Sequence, residues 1–145
     1  MSDFREKISE LIEYSGKPLS ELARISGIAQ SKLSNWTRYD VIPETKSLIQ
    51  IVKYFNCSLD FLIGISEIAE AKFNNNPVSF SGRLQALIKE KNKTPYRICK
   101  ELHLNTGMMS GWVNQGKLPD YENLIALAYY FNCSADYLLG LSDNR

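Results

Sequence analysis

The run Phe55-Asn56-Cys57-Ser58-Leu59-Asp60-Phe61-Leu62-Ile63-Gly64 returns as Phe131-Asn132-Cys133-Ser134-Ala135-Asp136-Tyr137-Leu138-Leu139-Gly140, an offset of 76 positions (131 − 55). The same offset pairs Trp36 with Trp112, Pro43 with Pro119, Phe4 with Phe80, Leu11-Ile12 with Leu87-Ile88, Lys17 with Lys93, Ser34 with Ser110 and Leu48-Ile49 with Leu124-Ile125. No gap is needed from Phe4 to Ser66, so the chain is a duplicated unit and is read as a repeat before anything else. Two domains of roughly 60 residues each bury only about 60% of their unfolded surface and are marginally stable. Tight packing of regular elements must hold them.

Cysteines cannot supply that stability. Cys57, Cys99 and Cys133 form no C-x-x-C or Cys/His pattern, and their odd number argues against a disulfide framework. They read as buried thiols of a reducing compartment, with no metal site. The start, Met1-Ser2-Asp3-Phe4-Arg5-Glu6, carries acids and lacks the apolar run of a signal peptide. The longest apolar stretch, 124–131, is too short to span a bilayer. The expectation is a cytoplasmic protein with no membrane association. A net charge of +1 gives no support to nucleic-acid binding, which usually brings a basic excess. Any such case must come from arrangement.

Apolar spacing predicts five short helices per unit. Phe4, Ile8, Leu11 and Ile12 share one helix face, and Gly16 stops that helix. Pro18 suits the first turn of a second helix whose inward side is Leu22, Ala23 and Ile25. Gly27 breaks the pattern. A third helix runs from Gln30 with Leu33 and Trp36 inward, and Pro43 lies in the connection that follows. Leu48, Ile51, Val52 and Phe55 mark a fourth helix, and Ser58 caps a fifth. In the second unit Thr94 caps the second helix, with Pro95 at its first position. The tryptophans are expected in the core. The domains are expected at 1–66 and 80–145, joined by a partly helical linker at 67–79 that Asn74-Asn75-Asn76-Pro77 ends.

The stretch from Leu19 to Trp36 places a Leu-Ala helix, a turn glycine, an apolar residue and a second helix ending in an aromatic in helix-turn-helix order. With Pro43, the fourth-helix leucine and isoleucine, and the Phe-Asn-Cys-Ser-x-Asp-(Phe/Tyr)-Leu-x-Gly ending, it resembles the Cro/lambda-repressor-like (XRE-type) helix-turn-helix family. The resemblance covers nearly the whole chain, twice. It implies an all-α fold of two tandem five-helix domains, and a third helix that enters the major groove of double-stranded DNA. His103 stands at the turn position where the family has glycine.

The positions that resemblance places against bases are Gln30, Ser31, Lys32 and Asn35 in the first unit, and Thr106 and Met108 in the second. Their chemistry suits base reading, since Gln and Asn bond adenine N6 and N7 together, and Lys reaches guanine O6 or N7. Gly107 and Gly111 flank Met108 and leave a smooth face where DNA or another protein helix could approach. Phosphate contacts are expected from Lys17, Ser20, Arg38, Lys93, Arg97 and Lys117, which set register and affinity but carry no sequence information. His103 has no Cys, Ser or carboxylate set around it, and no glycine-rich phosphate loop appears. The chain is therefore expected to be no enzyme and to need no cofactor. The leading reading is a transcriptional repressor that occludes its operator, because the chain leaves no room for a separate sensor or catalytic domain. The first unit would do most of the base reading, with homodimer and intrachain pseudo-dimer both open. The alternative is an antitoxin-like or regulatory module that uses one helix-turn-helix to hold a protein partner.

Overall fold

A computed structural model describes residues 3–145 of the chain. Among them are ten α-helices and no strand: α1 Asp3–Ser15, α2 Leu19–Ser26, α3 Gln30–Arg38, α4 Thr45–Phe55, α5 Leu59–Leu62, α6 Phe80–Glu90, α7 Pro95–Leu102, α8 Thr106–Asn114, α9 Tyr121–Phe131 and α10 Ala135–Leu138. The chain divides into two compact units, Met1–Ala71 and Lys72–Arg145. Helices α2 to α5 reappear as α7 to α10 with both ends at the offset read from the sequence.

In the first unit α1 packs on α3 and α5, and α2 on α3. The core holds Phe4, Ile8, Leu22, Ile28, Leu33, Trp36, Leu48, Ile51, Val52, Leu59 and Leu62, all buried. Phe4 and Trp36 meet edge to face at 6.2 Å, which ties α1 to the inner side of α3. The second unit buries Phe80, Leu84, Leu87, Ile98, Met109, Trp112, Leu124, Leu127, Phe131 and Leu138 in the same way. Both tryptophans are core residues. Cys57 and Cys99 are buried and Cys133 is half-buried, as thiols rather than disulfides. Burial pushes the Cys99 thiol up from its ordinary value.

Turn chemistry explains why the repeat keeps its register. Gly27 ends α2 in the left-handed region (φ 78°) and returns its N–H to the Ala23 carbonyl at 3.0 Å. His103 ends α7 at φ 57° in the same region, so the glycine-to-histidine exchange leaves the turn intact. Asn56 and Asn132 close α4 and α9 at φ 55° and 53°. The side chains of Ser58 and Ser134 accept the N–H of Phe61 and Tyr137, each at 3.0 Å, and so cap α5 and α10. Thr94 caps α7, with Pro95 at its start, whereas Pro18 takes the N-cap position of α2 without a side-chain bond.

Cation–π contacts repeat as well. The Lys7 ammonium sits 4.8 Å from the centre of the Phe61 ring, and the Arg83 guanidinium 3.8 Å from that of Tyr137. Arg83 Nη1 also donates to the Tyr137 carbonyl at 2.7 Å.

Two expectations need correction. Residues 67–79 form no helix. The Ser58 N–H and hydroxyl instead bond the carbonyls of Ala69 (2.9 Å) and Ile68 (3.0 Å), and Cys57 and Glu70 form an antiparallel bridge, so the chain folds back along the start of α5. The second unit repeats the arrangement, with the Ser134 N–H and hydroxyl bonding the carbonyls of Arg145 (2.9 Å) and Asn144 (3.2 Å). Residues 74–79 form a strap on the second unit: Asn74 N–H donates to the Leu141 carbonyl at 2.9 Å, and its amide to Asp143 Oδ1 at 2.9 Å. Pairing these backbone groups outweighs the weak intrinsic helix tendency of a short segment. The second correction is Ile25, which is 47% exposed rather than inward, because the narrow apolar stripe of α2 is filled by Leu22.

Candidate nucleic-acid interface

The segment from α2 through α3 is built so that α3 shows its polar side outward. Buried Ile28, next after the Gly27 turn, plugs into the core and sets where α3 begins. Leu33 and Trp36 hold the inner side of α3. Gln30, Ser31, Lys32 and Asn35, together with Arg38 in the last turn, are all exposed. Ala29 at the N-cap makes no side-chain bond to α3. The N–H groups of Lys32 and Leu33 return to the Ala29 carbonyl at 3.0 and 3.2 Å, while those of Gln30 and Ser31 have no side-chain cap. An anion or a base edge is a natural acceptor for such groups. Lys17 and Ser20 are exposed where the chain enters α2, which packs directly on α3.

A polar recess of about 250 Å³ lies beside the start of α3, lined by Gly27, Ile28, Ala29, Lys32, Glu44, Lys46, Ser47 and Gln50. Lys46 and Gln50 were not among the residues expected from sequence. Lys46 lies in the first turn of α4, whose N-cap Glu44 makes no side-chain bond. The available signal was a lysine two residues after Glu44, following the Pro43 loop. Its meaning depends on α4 starting next to α3.

The corresponding surface of the second unit differs in kind. Asn105 caps α8, its Oδ1 accepting from Gly107 N–H (2.6 Å) and Met108 N–H (3.3 Å), so these amides are already satisfied. Thr106 is exposed, and Met108 is 39% exposed. At the matching positions, Lys32 gives way to Met108, Arg38 to Asn114 and Lys46 to Glu122. The expected smooth face over the two glycines is corrected. Gly111 is buried beneath Lys117, whose Cδ lies 3.1 Å from where a Cβ would stand. Gly107 instead makes room for the Asn105 cap, since its Cβ would lie 2.9 Å from Oδ1. The glycines therefore serve contacts inside the unit. Met108 and Lys117 line one open recess of about 460 Å³ with Leu118, Asp120 and Asn123, and Tyr96, Thr106, Ser110 and Val113 line an apolar notch of about 200 Å³.

Of the second unit's expected phosphate contacts, Lys93 is engaged within the unit. Its Nζ bonds both Glu101 oxygens (2.8 and 3.0 Å) and the Tyr130 hydroxyl (3.2 Å). These partners raise the Lys93 pKa, and Lys93 and Tyr130 in turn lower that of Glu101. Arg97 approaches Glu101 at 4.0 Å. Among the described residues no group of three or more His, Cys, Asp and Glu side chains is placed to hold a metal ion. No helix of the described chain is long and apolar enough to cross a membrane.

Comparison with known proteins agrees with this geometry in the first unit. A family model described as helix-turn-helix matches residues 8–62, from within α1 to the end of α5. The match does not reach the second unit. No curated protein and no solved structure matches the chain.

Proposed function

We propose that the chain is a sequence-specific double-stranded-DNA-binding transcriptional regulator, a repressor acting by occupancy of its site, built from two tandem helix-turn-helix domains. Similarity of residues 8–62 to helix-turn-helix proteins, a family of DNA-binding regulators, supports the class. The repeated helix boundaries support extending it to the second unit. The observation that carries the reading is the outward set Gln30, Ser31, Lys32 and Asn35 on a helix braced from behind by Leu33 and Trp36. A short helix of this shape fits the major groove, and these side chains carry the donors and acceptors that distinguish base pairs there. Lys17, Ser20, Arg38 and Lys46 would grip phosphates alongside it. The second unit, with Thr106 and Met108 at its matching positions and Arg97 and Lys117 nearby, adds affinity more than base discrimination. The regulator works in the cytoplasm, as a homodimer or with its two units acting as a pseudo-dimer.

Selection of bound duplexes from a random pool at fixed salt tests this. A defined motif should emerge, and Q30A with N35A should erase its preferred bases, each good bidentate contact being worth about 1–3 kcal/mol of discrimination. Failure to select any motif, or a motif unchanged by both substitutions, rejects the reading.

A second reading is favoured by the exposed Tyr96, Met108 and Leu118 around α8, which suit a protein partner better than a phosphate backbone. In that case M108D would abolish capture of a partner and leave selected DNA sites unchanged.

A further inference from the structure

We propose that Glu101 is an affinity-setting residue, an internal carboxylate that occupies Lys93 and so restrains the second unit's grip on DNA phosphates; this rests on the DNA-binding reading above. The repeat supplies the comparison. Lys93 corresponds to Lys17, both immediately before the second helix of their unit, where a lysine meets the phosphate backbone in the proposed complex. In the first unit the position matching Glu101 is Ile25, an exposed apolar residue that can neutralise nothing. In the second unit Glu101 holds the Lys93 ammonium with both oxygens, Tyr130 adds its hydroxyl, and Arg97 lies at 4.0 Å from the same carboxylate. Tyr130 also donates to Glu101 Oε1 at 2.8 Å, which fixes the carboxylate in place.

The acid also stands where stability alone would not put it. Glu101 lies in the last turn of α7, where a negative charge opposes the helix dipole. An exposed ion pair offers little stability in return. Carboxylate and phosphate compete for the same donors, so DNA must displace Glu101 before Lys93 can release a counterion. Removing the carboxylate while keeping the side chain's shape should therefore raise affinity and steepen its salt dependence.

The experiment measures binding of the full chain to a short duplex of arbitrary sequence across a salt series, for wild type, E101Q, K93M and the double variant, with thermal melting of each to confirm folding. E101Q should bind about twofold to fivefold more tightly at low salt, the range an exposed ion pair spans. Its slope of log affinity against log salt should steepen by about 0.9, the contribution of one further phosphate. Most of both gains should be lost in the K93M background, leaving only the smaller share that Arg97, at 4.0 Å from the same carboxylate, supplies. The reciprocal variant I25E should weaken binding by a similar factor, by giving Lys17 the same competitor. No gain in E101Q, or an equal gain with and without Lys93, overturns the proposal and leaves the DNA-binding reading standing. An I25E variant that binds as wild type overturns it too. A wild-type chain that binds no duplex at any salt rejects both. A purely structural pair would show as a lower melting temperature for E101Q with no gain in affinity, which also refutes it.

Discussion

Substituting alanine for Gly140 tests how tightly the strap at 74–79 is built into the second unit. Gly140 adopts φ +79°, a region that costs an L-residue about 1–2 kcal/mol. A Cβ there would lie within the van der Waals envelope of the Val78 carbonyl oxygen, and 3.1 Å from Val78 Cγ2. That oxygen is backbone and cannot swing aside like a long side chain, so the strap must shift, adding about 1–3 kcal/mol. Gly27 provides the control. It has φ +78° and no atom within 4 Å of its Cβ position, so Gly27→Ala carries the conformational term alone. The expected cost is about 2–5 kcal/mol for Gly140→Ala against about 1–2 for Gly27→Ala. In a domain of this size each kcal/mol moves the melting temperature by about 4–8 °C. Each unit has one tryptophan, Trp36 or Trp112, so fluorescence-detected urea and thermal unfolding in W112F and W36F backgrounds assigns each loss to its unit. Equal costs for the two glycines would refute the claim that the strap presses on Gly140. A Gly140→Ala loss appearing in the Trp36 transition would refute its assignment to the second unit.

Two further outcomes follow from the same geometry. Lys46→Ala should weaken DNA binding uniformly over all sequences and flatten the salt slope by about 0.9, without altering the selected motif; competition binding against selected and arbitrary duplexes reads both, and a changed motif would assign Lys46 to base contact instead. His103→Gly should stabilise the second unit by about 0.5–1 kcal/mol, because relief of the left-handed strain outweighs the extra freedom glycine gives the unfolded chain; chemical denaturation of the W36F background measures it, and a loss of stability would mean that the exposed imidazole makes a stabilising contact.

Residues that read correctly from sequence are those whose environment is set within a turn or two. The caps at Ser58 and Thr94 act on amides three positions away, and the stops at Gly16 and Gly27 answer to their own backbone angles. Trp36 and Trp112 follow from helical periodicity, whereas Gln30, Ser31, Lys32 and Asn35, exposed on α3, are singled out by the resemblance to helix-turn-helix proteins. The duplication then carried each local assignment into the second unit.

Tertiary structure decided what depends on distant partners. Residues 67–73 have helix-forming composition, yet their carbonyls find the amide and hydroxyl of Ser58, so extended pairing replaces a helix too short to sustain itself. The stem of Lys117 fills the space above Gly111, and Lys46 joins the recess beside α3 only because α4 begins there. Lys93 looks equivalent to Lys17 in any alignment of the two halves. It differs because α7 turns Glu101, and α9 turns Tyr130, toward its ammonium. Periodicity and capping are short-range and survive in the order of residues, whereas the partner of a charge is fixed only once remote helices have packed.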